Sequence, residues 1–233
     1  IHQTDPNAAA TILNSGVMRP GAGGALGAAI YFCKTMDGCA MRALHHGTYL
    51  MADVYLGKTS ANQSFGSNST GFHSIVSGTK LPMYVVQESD RVKNIRYLDG
   101  TIPPGADINK IEMRDRMPLV FAATAQEAAN IIRKQKIPFE NRPDIAGNGI
   151  YMWQNIPDAK RFQLHGAETF LVAEVHFNDS CFEKNYMPSE RDRHHYDTFR
   201  GNYQGTHYFM IKDPSRIEKI HYVGGVRPPN PTV

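Results

Sequence analysis

Cys33, Cys39 and Cys181 are the only three cysteines of the chain, and a thiol acts as a nucleophile only where a base or a positive charge sits within reach. No base can be assigned to Cys33 or Cys39 from the order of residues, so both are expected to be small apolar side chains. The odd, sparse count excludes a disulfide framework and suits a reducing compartment, cytoplasmic or nuclear. The ten histidines are scattered apart from His45-His46 and His194-His195, both expected at the surface. No Cys/His cluster has zinc spacing, so no metal site is expected. What remains for chemistry is the tripeptide His2-Gln3-Thr4, the glycine-rich run Pro20-Gly21-Ala22-Gly23-Gly24, and two tyrosines, Tyr31 and Tyr151, each following a glycine-rich turn.

Those tyrosines belong to a repeat. GAAIYF (Gly27 to Phe32) is matched by GNGIYM (Gly147 to Met152), placing Tyr31 and Tyr151 120 residues apart, and Thr4 and Thr124 stand at the same offset. MADVYL (Met51 to Leu56) is matched by VAEVHF (Val172 to Phe177) at 121; FHSI (Phe72 to Ile75) by YDTF (Tyr196 to Phe199), and MYVV (Met83 to Val86) by HYFM (His207 to Met210), at 124. Landmarks that keep their order with four residues of drift point to a tandem duplication.

The elements follow from local patterns. Thr124 with Glu127 forms a capping-box signature, and Thr4 before Asp5 and Pro6 suits a helix start, with Gly16 as the stop. In the run 49–56, Leu50, Ala52, Val54 and Leu56 fall on one face of a half-buried strand, and FLVAEVHF alternates in the same phase. MYVV and HYFM are short strands. The fold class is α+β: two tandem domains, each a split antiparallel β core with short flanking helices. The expected division is 1–98 and 117–233, with a Pro- and charge-rich connector at 99–116 and an irregular, proline-rich tail from Gly224. The two domains are expected to pack as an internal pseudo-dimer.

Composition sets limits. Hydrophobic residues make up 41% and charged residues 20% of 233, and the net charge is +3. That supports a folded core and gives a nucleic-acid surface no support, since phosphate binders carry a larger basic excess or a cluster. No apolar run is long enough to span a membrane. The chain opens at Ile1 rather than Met, so it is expected to be an excised piece whose targeting segments lie out of view.

The ordered set in the first repeat resembles the PARP-type ADP-ribosyltransferase catalytic domain: His2-Gln3-Thr4, the Gly-rich stretch into GAAIYF, a strand ending Leu56-Gly57-Lys58, and the Gly71-Phe72-His73-Ser74-Ile75 block before Tyr84-Val85-Val86. The resemblance covers residues 1–98. It implies NAD as substrate, cleaved at the nicotinamide–ribose bond with transfer of ADP-ribose. His2 then stands where the family binds the adenosine ribose, the Gln3 backbone where it binds the nicotinamide amide, and Tyr31 where a ring packs on the pyridinium. Thr4, Gly23 and Ala29 fall in the same NAD-binding stretches. Such a site must hold the dinucleotide rigidly and stabilise positive charge on the ribose.

The departures narrow the expectation. Cys39 replaces the family's Ser and Arg42 its second stacking Tyr. Met83 replaces the Glu that polarises the ribose hydroxyl, with Glu88 a remote substitute, so polymer synthesis is not expected. The leading expectation is transfer of one ADP-ribose to an acceptor, a protein rather than a nucleic acid. The alternatives are an inactive module that binds NAD, ADP-ribose or a protein, and an NAD glycohydrolase. In the second repeat Ala122 stands at the His2 position and His207 at the Met83 position, so no NAD turnover is expected there. Read on their own, His2 is equally a strand-end histidine, Tyr31 and Tyr151 core aromatics, and Gly23 a turn residue.

Overall fold

The computed structural model describes residues 1–61, 72–77, 82–108, 116–142, 145, 147–162, 166–177, 181–184 and 198–229. Its contacts divide the chain into two compact units, Ile1–Ile108 and Asn109–Val233. Both are mixed α+β, mostly antiparallel sheet with a few short helices.

In the first unit the order is β1 (His2–Thr4), α1 (Pro6–Ser15), β2 (Ile30–Cys33), α2 (Met36–Ala40), β3 (Thr48–Val54), β4 (Thr59–Ala61), β5 (Ser74–Ser77), β6 (Met83–Val86) and β7 (Val92–Gly100). The strands form two sheets, β1-β3-β7 and β2-β6-β5-β4, antiparallel except for the parallel pair β4–β5. Helix α1 is capped by Asp5, whose carboxylate accepts from the Asn7 and Ala8 amides at 3.0 Å each, with Pro6 in the first turn. Thr4 is therefore not the cap. It is the last residue of β1, buried opposite Thr48, and the carboxylate one residue later takes the orphan donors. Gly16 ends the helix at φ +67°, as its position predicts. Leu50, with Ala52, Val54 and Leu56 beside it, packs with Ala9, Met18, Ile30, Phe32, Val86 and Val92, the face that the alternation predicts.

The second unit follows the same order with one added strand: β8 (Arg116–Ala123), α3 (Ala125–Lys134), β9 (Glu140–Arg142), β10 (Gly147–Trp153), α4 (Ile156–Phe162), β11 (Thr169–His176), β12 (Cys181–Lys184), β13 (Thr198–Tyr203), β14 (Thr206–Ile211) and β15 (Ile217–Gly225). Its sheet runs β12-β13-β14-β10-β8-β11-β15, with β12–β13 parallel, and β9 pairs β10 at the side. The Thr124–Glu127 capping box is formed in full.

The units also share details that the sequence repeat does not display. Gly100 and Gly225 end β7 and β15 at φ +91° and +82°, each against the backbone carbonyl of the residue just before the partner strand, Gly47 before β3 and Glu168 before β11. Tyr97 and Tyr222 donate to the Gly100 and Gly225 carbonyls at 2.8 and 2.7 Å. Thr48 donates to the Thr101 carbonyl at 2.6 Å, and Thr169 to the Val226 carbonyl at 2.7 Å. Left-handed Asn94 and Lys219 mark matching bulges in β7 and β15. Asp99, Gly100 and Arg116, read as connector ends, are thus strand residues, and the division falls between Ile108 and Asn109. Gly224 and Gly225 at the start of the tail likewise complete β15.

Candidate site at the split between two sheets

The two sheets of the first unit touch at one rung. Ile1 N donates to the Cys33 carbonyl at 2.7 Å, and Cys33 N to the Ile1 carbonyl at 2.8 Å. A continuing antiparallel ladder would next join Gln3 to Tyr31. Instead the Tyr31 carbonyl accepts from His2 Nδ1 at 2.9 Å, and the strands part. Because a carbonyl only accepts, this bond puts the proton of neutral His2 on Nδ1 and leaves Nε2 as an acceptor. Burial lowers the His2 pKa below its ordinary 6.5, the bond to Tyr31 working against it, so the ring is neutral at pH 7.

Strand alternation sends His2 and Gln3 to opposite faces of β1. His2 shares a face with Leu50 and packs on Phe32, ring centroids 5.8 Å apart. Gln3 lies opposite Tyr49 with its side chain near the tyrosine hydroxyl, while Gln3 Oε1 is buried and has no hydrogen-bond partner. Burial pushes the Tyr49 hydroxyl up, and the nearby Cys39, Asp99 and Asp37 add to the shift. Cys39, in α2, donates to the Ile1 carbonyl at 3.1 Å and has the Cys33 thiol as an electrostatic neighbour. On β2 and β6, Cys33 is the rung partner of Met83 and Tyr31 that of Val85. Gln3, Tyr49, Cys39, Cys33, Met83 and Tyr31 therefore follow one another along one side of the split.

Tyr31 is more enclosed than a free aromatic wall. Its hydroxyl donates to the Gly27 carbonyl at 2.5 Å and accepts from Leu26 N at 3.1 Å. Gly24 presses on the ring: a Cβ there would lie 2.4 Å from the hydroxyl oxygen. Gly24, not Gly23, is the glycine that the loop requires, since a Cβ on Gly23 meets nothing within 4 Å. Ala29 and Met83 pack with Tyr31 in a small apolar cluster with Ile75 and Val85. Arg42 is exposed just beyond α2, and its charge reaches Cys33. Glu88 lies at the surface, paired with Arg91. Replacing Tyr31 by Phe strands the Leu26 amide and the Gly27 carbonyl; urea unfolding is expected to show a loss of about 1–2 kcal/mol.

In the second unit Tyr151 makes the same bond, hydroxyl to the Gly147 carbonyl at 2.7 Å, but is wholly buried, with Arg142 over its ring and Tyr208 beside it. Ala122 pairs with Phe170, and His207 with Asn202. His45 and His46 are exposed; His194, His195, the run 190–193, and Tyr196 and Asp197 lie outside the described residues. Among the described residues no group of three or more His, Cys, Asp or Glu could hold a metal, and no helix is long and apolar enough to cross a membrane.

Tyr49 and the Cys33–Cys39 contact were the parts of this site that spacing did not disclose. Tyr49 carried a signal, being on the face of its strand opposite Leu50. The thiols carried none, because their contact depends on the turn into α2. Neither a known family model nor a curated protein matches the chain, so the family resemblance rests on the motifs quoted above.

Proposed function

We propose that the first unit binds NAD at the split between its sheets and transfers a single ADP-ribose unit to an acceptor, a protein in preference to a nucleic acid. The observation that carries this reading is the parting of β1 from β2 at His2. The His2 ring takes over a rung of the ladder and keeps an unprotonated Nε2, a suitable acceptor for a ribose hydroxyl. The Gln3 backbone, outside the β1–β2 ladder, is the group for the carboxamide, and Cys39 and Tyr31 flank it. Met83 offers no charge to polarise a ribose hydroxyl, which is why a single transfer is proposed and not a polymer. We read the units as tandem copies of one ADP-ribosyltransferase-like domain, supported by their shared strand order, bulges and glycine closures. The second is a degenerate copy, with Ala122 in place of the histidine and its tyrosine sealed in the core.

The Gly24 contact favours a second reading, a module that binds NAD or ADP-ribose without turnover. A pyridinium reaches the covered side of the Tyr31 ring only if the loop around Gly24 lifts. Incubation of the chain with labelled NAD and a cell extract separates the readings. Label on protein supports transfer; nicotinamide release with no labelled acceptor indicates hydrolysis. Binding without either supports the module, and binding of neither NAD nor ADP-ribose removes all three.

A further inference from the structure

The two thiols of the first unit meet at one backbone carbonyl. Ile1 O accepts from Cys33 N at 2.8 Å and from Cys39 Sγ at 3.1 Å. The side chain of Cys33 lies against the first turn of α2: a Cβ on Gly38 would be 3.3 Å from Cys33 Cβ and 3.7 Å from its sulfur. Cys39 is the next residue, and the two thiols are electrostatic neighbours. Both are free and buried. An inert core cysteine is surrounded by apolar atoms; here the Cys39 sulfur donates to a backbone carbonyl and has a second thiol as its neighbour. A disulfide needs its Cβ atoms about 3.5–4.5 Å apart, a distance that a shift of the short helix α2 against Cys33 would set.

We propose that Cys33 and Cys39 form a redox pair that closes to an intramolecular disulfide on contact with a small peroxide, tying α2 to β2 beside Gln3 and Tyr49. This does not rest on the ADP-ribose reading. The Cys33 thiolate attacks one peroxide oxygen. The O–O bond breaks, hydroxide leaves and takes up the proton that the thiol lost, and Cys33 becomes a sulfenic acid. The Cys39 sulfur then attacks the Cys33 sulfur; the S–O bond breaks, and the hydroxyl leaves as water with the Cys39 proton. In sum, two thiols and one peroxide give one disulfide and two waters, the dithiol oxidised and the peroxide reduced.

The roles of the two sulfurs are unequal. The neighbouring Cys39 thiol holds the Cys33 thiol down, to about 7 against its burial, with the charged amino group of Ile1 and then Arg42 adding to the effect, whereas Cys39 is pushed up. Cys33 is thus the attacking thiol and Cys39 the resolving one. Access comes through α2, five residues long and followed by the exposed Met41 and Arg42, since so short a helix opens at low cost.

The test uses the whole chain carrying Cys181→Ser, treated with equimolar hydrogen peroxide under native conditions. Trypsin cuts after Lys34 and Arg42 but not between Arg19 and Pro20, so the two thiols fall on separate peptides, Ile1–Lys34 and Thr35–Arg42. The expected product is these two peptides covalently joined, lighter by two hydrogens and separated again by a thiol reductant. In Cys39→Ser the reaction should stop at a sulfenic acid on Cys33 that a cyclic diketone traps, and in Cys33→Ser the remaining Cys39 should stay reduced. Should either serine variant fail to fold, an aryl arsenical, which bridges only adjacent dithiols, is expected to bind the Cys181→Ser chain one to one. Thiols that stay reduced until the chain is unfolded, unlinked peptides bearing sulfinic acid, or no arsenical binding would each overturn the proposal.

Discussion

Gly225→Ala is expected to lower the unfolding free energy of the second unit by about 3 kcal/mol or more, the sum of a strained left-handed backbone and an overpacked contact. A Cβ at this position would sit 2.0 Å from the Glu168 carbonyl oxygen, and φ is +82°. Neither partner can yield cheaply. The Glu168 carbonyl accepts from Val226 N at 2.8 Å, and the Gly225 carbonyl accepts from Tyr222. Trp153, the one tryptophan of the chain, is buried in β10, so its fluorescence in urea reports on this unit. Gly205→Ala is the control. It also has positive φ, +80°, but an added Cβ meets nothing within 4 Å, so only the backbone cost of about 1 kcal/mol is expected. If the two substitutions cost the same, the close approach to Glu168 does not exist. Gly100→Ala, whose Cβ would lie 2.1 Å from the Gly47 carbonyl oxygen, should destabilise the first unit comparably.

The second large effect concerns function. His2→Ala is expected to reduce label transfer from NAD by about tenfold to a hundredfold, the loss of one to two well-made hydrogen bonds to substrate. The substitution also removes the Nδ1 bond to the Tyr31 carbonyl, so a stability control is required. Gly16→Ala supplies it, since a side chain at φ +67° also loosens the unit and leaves both His2 and Tyr31 in place. A His2→Ala chain that fails to transfer label while Gly16→Ala still transfers it separates substrate binding from loss of fold.

How far such features could be read beforehand depended on how local their causes are. The alternation through Leu50, Ala52, Val54 and Leu56 was legible because strand faces have period two. The Thr124–Glu127 box was legible because both partners lie within one turn. Thr4 and Asp5 are both capping residue types in succession, and strand pairing makes the choice between them: Thr4 is held in β1 opposite Thr48, leaving Asp5 to the helix. The tyrosines stood out as flat faces, but each donates its hydroxyl to a carbonyl four residues back. That bond depends on the shape of the preceding loop, which the glycine count alone did not specify. The shared closures at Gly100 and Gly225 escaped notice because their partners, Gly47 and Glu168, differ in type; the contact is through backbone.

The most direct measurement of the central claim is calorimetric titration of the whole chain with NAD, repeated on His2→Ala and on Tyr151→Phe. One site per chain is expected, weakened at least tenfold by His2→Ala and unchanged by Tyr151→Phe, because Tyr151 is sealed in the core of a unit with Ala122 in place of the histidine. No heat of binding, two equivalent sites, or full affinity in His2→Ala would contradict an NAD site at the split between β1 and β2.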